Sequence, residues 1–210
     1  MYFNCTAIGG KMSYKLLSST IVPRPIAWVV TCSDDGRINA APFSFFNAFS
    51  GDPPVACLGI GEGIEGPKDT LNNLRSNGEL VINMVSESNV IAMNVTAIPF
   101  GAEVSELDEA GLATHESSHV KPPRIAASPA SFECRVREII PLGRANHLIL
   151  VNVLAAHIDD QAITDIERCR IDASRLDLVG RMESPGWYVR TRDRFMLRQI
   201  KPEAWKASKS

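Results

Sequence analysis

Apolar residues along the chain cluster in short runs separated by turn residues. Two runs rich in Val, Ile, Phe and Trp, residues 25–32 and 39–46, flank Asp35-Gly36. Glycine there supplies the positive φ of a tight turn, so the pattern predicts a β-hairpin. The brief apolar runs at 55–60 and 79–85 are typical of buried strands.

Further along the chain, polar and apolar residues alternate over 132–136, and residues 148–158 are almost wholly apolar. This indicates two long strands joined through Gly143. The helices predicted are short: one at 69–76 and helices or turns within 93–96 and 105–112. Many strands with little helix between them favour a closed antiparallel barrel, because closure removes exposed sheet edges.

Composition narrows the function classes. The 210 residues suit one domain spanning 1–210, with 45% hydrophobic and 22% charged residues. A net charge of −2 without a basic field argues against nucleic acid, and no apolar run is long enough to span a membrane. No secretion signal is recognisable, so a cytoplasmic protein is expected. Five widely spaced cysteines with no C-x-x-C pair predict reduced thiols.

Two motifs match familiar patterns in the wrong context. His115-Glu116-Ser117-Ser118-His119 fits H-E-x-x-H, the zinc-hydrolase pattern, but Gly111 and Pro122 leave too few residues for the helix it requires. A solvated loop is favoured, no metal ligand is assigned, and the zinc hydrolase is kept as an alternative. Residues 61–66 fit G-x-G-x-x-G, yet Pro67 and two glutamates oppose a dinucleotide site, so a glycine-rich loop is expected.

The end of that glycine-rich loop carries a better anion signal. Lys68, Asp69 and Thr70 open the short helix, where free backbone N–H groups, an ammonium and a hydroxyl converge. Either residue 69 or residue 70 as the helix N-cap explains part of the same pattern structurally.

Several segments in order resemble the flavin reductase-like, FMN-binding split-barrel family. The first are 24–29 (RPIAWV), 39–47 (NAAPFSFFN), 52–54 (DPP) and 68–73 (KDTLNN). Later ones are 79–83 (ELVIN), 93–96 (MNVT), 110–112 (AGL), 120–125 (VKPPRI), 157–160 (HIDD) and 178–181 (LVGR). The similarity covers about residues 14–197.

The resemblance implies a mainly β fold: a six-stranded antiparallel Greek-key split barrel with short peripheral helices, forming a homodimer. It also implies one FMN per subunit and NADH or NADPH as the reductant. Carried over to this chain, the cofactor-binding residues are Arg24, Ala41, Pro42, Phe43, Ser44, Asn47, Lys68, Asp69, Thr70, Asn94 and Thr96. The ring would lie along residues 41–44 and the phosphate at 68–70.

The same resemblance suggests His157 as a catalytic residue, whereas a lone histidine on a strand is more often structural. The activity implied is an NAD(P)H-dependent flavin reductase that passes electrons to a second acceptor. A non-catalytic FMN-binding electron carrier and a structural or interaction module remain as alternatives. The chain departs from the family at 164–169 and 182–184, which affects the substrate-side loop more than the flavin site.

Overall fold

The computed structural model describes residues 1–63, 66–101 and 103–207. The strands, numbered in chain order, are β1 Ala27–Cys32, β2 Ile38–Phe43, β3 Phe46–Gly51, β4 Pro54–Gly61, β5 Glu79–Met84, β6 Thr114–His115, β7 Arg124–Ile125, β8 Ala130–Pro141, β9 Asn146–Ile158, β10 Ile163–Asp165, β11 Arg170–Ile171, β12 Val179–Arg181 and β13 Tyr188–Arg190. The helices are α1 Gly10–Thr20, α2 Asp69–Ser76, α3 Val90–Val95, α4 Glu106–Glu109 and α5 Pro202–Ala207, with a 3-10 turn at Asp160–Ala162.

Seven strands form one sheet in the order β2-β1-β5-β8-β9-β4-β3, and all neighbours are antiparallel. Its two edge strands, β2 and β3, are consecutive in the chain and are separated only by Ser44 and Phe45. The carbonyl of Phe45 accepts a hydrogen bond from the N–H of Gly59 (2.7 Å), so pairing with β4 begins at the bend. Counted as one bent strand, β2 and β3 close the split barrel and give the six strands expected.

Buried hydrophobic residues form two separate clusters, one inside the barrel and one on its outer wall. Along β1, Ala27 and Val29 face the interior, while Trp28 and Val30 pack outward with Met93 of α3 and Leu107 of α4. Strand side chains alternate between the two faces, so a strand covered on both is buried throughout. This explains why all six residues of β1 are buried.

The secondary-structure predictions are confirmed for the hairpin, where Val29 pairs with Ala41, and for the two long strands β8 and β9. Helix α2 occupies the predicted 69–76. The run 39–46 was predicted as one strand, but it bends after Phe43 and divides between β2 and β3. Helix α1 was not predicted. Among the described residues, no helix has the length and apolar character needed to cross a membrane.

Candidate functional site

A cavity of about 680 Å³ lies where helix α1, the end of β2, helix α3 and the segment around β12–β13 meet. Helix α1 contributes Tyr14 and Ser18, and the end of β2 with the following bend contributes Pro42, Phe43 and Ser44. The other main walls are α3, including Met93 and Asn94, and residues 181–188, including Arg181, Met182 and Tyr188. This volume falls within the range of small-molecule sites.

The bend between β2 and β3 makes one wall of this cavity. Pro42 has no N–H to donate, and Phe43 turns its ring into the barrel core while also lining the cavity. The next residue, Ser44, leaves the sheet and accepts a hydrogen bond at Oγ from Nε of Arg24 (3.4 Å). Barrel closure therefore places a small hydroxyl residue at the cavity surface.

Arg24 lines the cavity, but its guanidinium is held by the protein. It donates from Nη1 to the carbonyl of Ser18 and to that of Ile21 (3.0 Å), and from Nη2 to the carbonyl of Met182 (2.8 Å). Burial lowers the pKa of Arg24 below its ordinary value, and the positive charge of Arg181 lowers it further. Arg24 thus fastens the end of α1 to the segment after β12.

Arg181 lies beside Arg24, and its guanidinium has fewer hydrogen-bond partners. The backbones of the two residues exchange hydrogen bonds of 2.9 and 2.8 Å, and Cζ of Arg181 lies 4.8 Å from the ring centroid of Tyr188. Within the described part of the chain its guanidinium makes one long hydrogen bond, from Nη2 to the carbonyl of Pro185 (3.4 Å). No acidic residue is found among the described residues that line the cavity.

The predicted phosphate-binding group divides in the structure. Lys68 immediately precedes α2, and its Nζ lies 5.7 Å from the ring centroid of Phe43, next to the cavity wall. Thr70 is buried and accepts a hydrogen bond from Asn39 (2.9 Å). Asp69 is exposed and borders a separate small pocket with Glu106, whose pKa is raised by burial. None of the three lines the cavity, and Lys68 is the one that lies close to a lining residue, Phe43.

Three other predicted contacts lie away from the cavity lining. Ala41 packs against the barrel core, and Asn47 is exposed on β3 with its amide oxygen accepting from the N–H of Ala48 (2.8 Å). Thr96 is buried and accepts a hydrogen bond from Nε1 of Trp28 (2.9 Å). Of the predicted cofactor-binding residues, the cavity brings together Arg24, Pro42, Phe43, Ser44 and Asn94.

His157 lies outside this lining and pairs with a buried carboxylate. Its Nε2 is 2.6 Å from Oε1 of Glu133, a carboxylate with no exposed side-chain surface. Glu133 also accepts hydrogen bonds from the backbone N–H groups of Ser118 and His119. Burial alone would raise the pKa of Glu133, but these hydrogen bonds and His157 lower it below its ordinary value.

The structure also shows the conformations of the H-E-x-x-H segment and of the described part of the glycine-rich loop. In the H-E-x-x-H segment, His115 ends the short strand β6, and the residues after it form no helix. No group of three or more possible metal ligands occurs within residues 1–63, 66–101 and 103–207. In the glycine-rich loop, Ile64 and Glu65 lie outside the described residues, and the N–H of Gly63 donates to the carbonyl of Gly66 (2.7 Å).

Sequence reasoning missed several residues that line the cavity, among them those of α1 and of the segment around β13. Helix α1 brings Tyr14 and Ser18, although its only N-terminal signal is a glycine pair, and it has a single buried residue. The segment around β13 brings Tyr188, whose role depends on pairing between β12 and β13. The helix-favouring residues of α1, such as Lys11, Lys15 and Leu16, were the available signal.

Comparison with known proteins identifies the family to which this barrel belongs. A model of the flavin reductase like domain matches residues 18–171, and the chain belongs to this family. An uncharacterised protein of Deinococcus radiodurans is 37% identical over 209 residues, covering 97% of this chain and 92% of that protein.

Two solved structures share the whole fold. The 2-nitrobenzoate 2-nitroreductase of Pseudomonas fluorescens is 28% identical with a TM-score of 0.87, covering 96% of this chain and 98% of that one. Nitrilotriacetate monooxygenase component B from Bacillus cereus is 30% identical with a TM-score of 0.87, covering 94% and 98%. Together with the family match, they support a flavin-related oxidoreductase with a flavin cofactor.

Proposed function

We propose that this protein is an FMN-binding oxidoreductase that takes electrons from NADH or NADPH and passes them to a second acceptor. The observation that carries the proposal is the cavity beside the β2–β3 bend. It combines apolar walls with cations at its edges and has no acidic side chain among its described lining residues. That chemistry suits an extended aromatic ring carrying a phosphate.

The residues present fit FMN. Pro42, Phe43 and Ser44 offer a flat wall with one hydroxyl, Asn94 offers an amide, and Lys68 offers an ammonium beside Phe43. In this proposal Lys68 binds the phosphate, and residues 42–44 contact the ring. When bound, the flavin supplies the redox chemistry, accepting a hydride and releasing electrons to an oxidant.

The residues of the chain serve to position the flavin within the cavity. Arg24 holds the end of α1 and the segment after β12 in fixed positions, so the cavity has a defined width. Arg24 acts through these backbone contacts. Thr96 and Thr70 accept hydrogen bonds from Trp28 and Asn39 on other elements, and Asn47 bonds to the backbone of its own strand. His157 receives no catalytic role in this proposal, because the buried Glu133 holds its ring.

We also propose that residues 1–210 form one domain and that the protein is a homodimer. The supporting observation is the edge strand β3, whose residues after Phe46 are all exposed, with Phe49 69% exposed. At the bend before β3, Tyr14 contacts Phe45 edge-on, with ring centroids 5.8 Å apart, and both side chains are exposed. An exposed apolar edge strand needs a covering partner.

The test is an absorbance spectrum of the purified protein, recorded before and after loading with FMN and gel filtration, followed by anaerobic NADH or NADPH. We expect a retained flavin band that the reduced nucleotide bleaches. Retention without bleaching would replace the reductase with an FMN-binding electron carrier. Failure to bind FMN or riboflavin at any concentration tested would refute the proposed function.

A further inference from the structure

The geometry points to Arg181 as the residue that binds an oxyanion, a carboxylate or a phosphate, of the molecule occupying the large cavity. The inference deepens the proposed function, since it names the chemistry that a ligand of the same cavity presents. It depends on the difference between the two arginines that line the cavity.

The two guanidinium groups are placed on the same side by the backbone. Arg24 and Arg181 form an antiparallel bridge, and directly opposed residues in such a pair project their side chains from one face. Gly180 permits the approach, because a Cβ there would lie 2.9 Å from Cβ of Pro23. The chain therefore brings two positive charges together at one cavity wall.

The two arginines differ in how many donors they can offer a ligand. Arg24 is 6% exposed, and its Nε, Nη1 and Nη2 all donate to protein oxygens. Arg181 is half-buried, and among the described residues its guanidinium hydrogen-bonds to the carbonyl of Pro185 alone, at a long distance. The planar guanidinium carries five N–H donors, so most of its hydrogen-bonding capacity can serve a ligand.

The surroundings of Arg181 favour an anion. The Tyr188 ring supports one face of the guanidinium at 4.8 Å, which orients its edge as a rigid fork. No carboxylate among the described lining residues neutralises the two arginines. A bound carboxylate or phosphate would relieve their mutual repulsion and match the fork with two parallel hydrogen bonds.

The oxyanion has two possible sources, which matched ligand pairs distinguish. FMN and riboflavin differ in the phosphate, and benzoate and benzamide differ in charge at constant shape. Binding of the flavin pair is measured by quenching of flavin fluorescence. Binding of the benzoate pair to the flavin-free protein is measured by ligand-observed NMR titration. The proteins compared are the wild type, Arg181→Gln and Arg181→Lys.

We expect Arg181→Gln to reduce one of these two preferences by about tenfold or more, the effect of losing a charge-assisted hydrogen bond. A reduced FMN-over-riboflavin preference assigns the oxyanion to the flavin phosphate. A reduced benzoate-over-benzamide preference assigns it to a second substrate. Arg181→Lys should keep part of the preference, because charge remains while the planar fork is lost.

The matched control is Arg175→Gln, an exposed arginine whose guanidinium bonds to Gln161 and Asp172 at the surface. It should leave both preferences unchanged. If Arg181→Gln is folded by circular dichroism and changes neither preference, the inference is overturned while the flavin site can still be intact. If no variant binds flavin, the proposed function fails separately, and the benzoate pair still decides the role of Arg181.

Discussion

Nε2 of His157 on β9 lies 2.6 Å from Oε1 of Glu133 on β8, and this carboxylate has no exposed side-chain surface. The same carboxylate accepts from two consecutive backbone N–H groups, those of Ser118 and His119. The H-E-x-x-H segment is therefore fastened to the barrel through its backbone. The arrangement stabilises a long connection between sheet strands.

Glu133→Gln should lower the free energy of unfolding at neutral pH by about 2 kcal/mol. The substitution keeps the shape of the side chain but removes its charge. It also replaces one of the two carboxylate oxygens that accept hydrogen bonds from three N–H donors. Urea denaturation followed by circular dichroism measures the loss. Glu138→Gln, at an exposed position on the same strand, serves as the control. A stability equal to that of the wild type would contradict the role given to Glu133.

The same variant should show a distinct pH dependence. The folded pKa of Glu133 is lowered, so its stabilisation is complete above the unfolded-state pKa of about 4.3 and disappears as pH falls through the folded value. The stability difference between wild type and Glu133→Gln should therefore shrink below about pH 4. Denaturation curves between pH 3 and 7 give this difference, and a constant gap would show that the charge is irrelevant.

Thr96→Val should destabilise the protein by about 1 to 3 kcal/mol and leave flavin affinity unchanged. The substitution leaves the buried Nε1 of Trp28 without its acceptor. Thr96→Ser, which keeps the hydroxyl, should restore most of the stability. Thermal unfolding and flavin titration give the two readouts. A selective loss of FMN binding without loss of stability would return Thr96 to the cofactor site.

Arg24→Met should cost about 2 to 4 kcal/mol of stability, because the carbonyl groups of Ser18, Ile21 and Met182 lose a buried charged donor. The exposed Arg175→Met is the comparison and should change stability by less than about 1 kcal/mol. Chemical denaturation measures both variants. Equal effects of the two substitutions would show that Arg24 does not fasten α1.

Lys68→Ala should weaken FMN binding by about 1.5 to 3 kcal/mol, the scale of a charge-assisted hydrogen bond to phosphate. Riboflavin has no phosphate, so its affinity should stay close to that of the wild type. Lys68 is exposed, and its Nζ lies 5.7 Å from the ring centroid of Phe43, so the fold should tolerate the change. Equal weakening of both flavins would place the phosphate elsewhere.

Phe49→Glu should convert the proposed dimer to a monomer, because the exposed β3 edge would then carry a charge. Light scattering after gel filtration reports the mass. Ile166→Glu replaces an apolar residue of similar exposure outside β3 and should leave the mass unchanged. A Phe49→Glu protein with the mass of the wild type would remove β3 from the interface.

The local sequence determined most of the barrel. Apolar alternation and the Asp35-Gly36 turn specified the β1–β2 hairpin, and the long apolar runs specified β8 and β9. These features are predictable because a strand's side-chain period and a turn's φ angles depend on neighbouring residues. Ordered family blocks then indicated a flavin protein, which the family match confirms.

Only the tertiary structure decided which polar residues reach the cavity. Thr96 and Thr70, plausible flavin contacts in the sequence, bond to Trp28 and Asn39 across distant segments. Arg24 and Arg181 are 157 positions apart in the sequence but are paired by a backbone bridge. Tyr188 lies beside Arg181 because β12 and β13 pair at these two residues. A side chain's partner depends on which segments the folded barrel brings within hydrogen-bond distance, and local periodicity carries no information on that pairing.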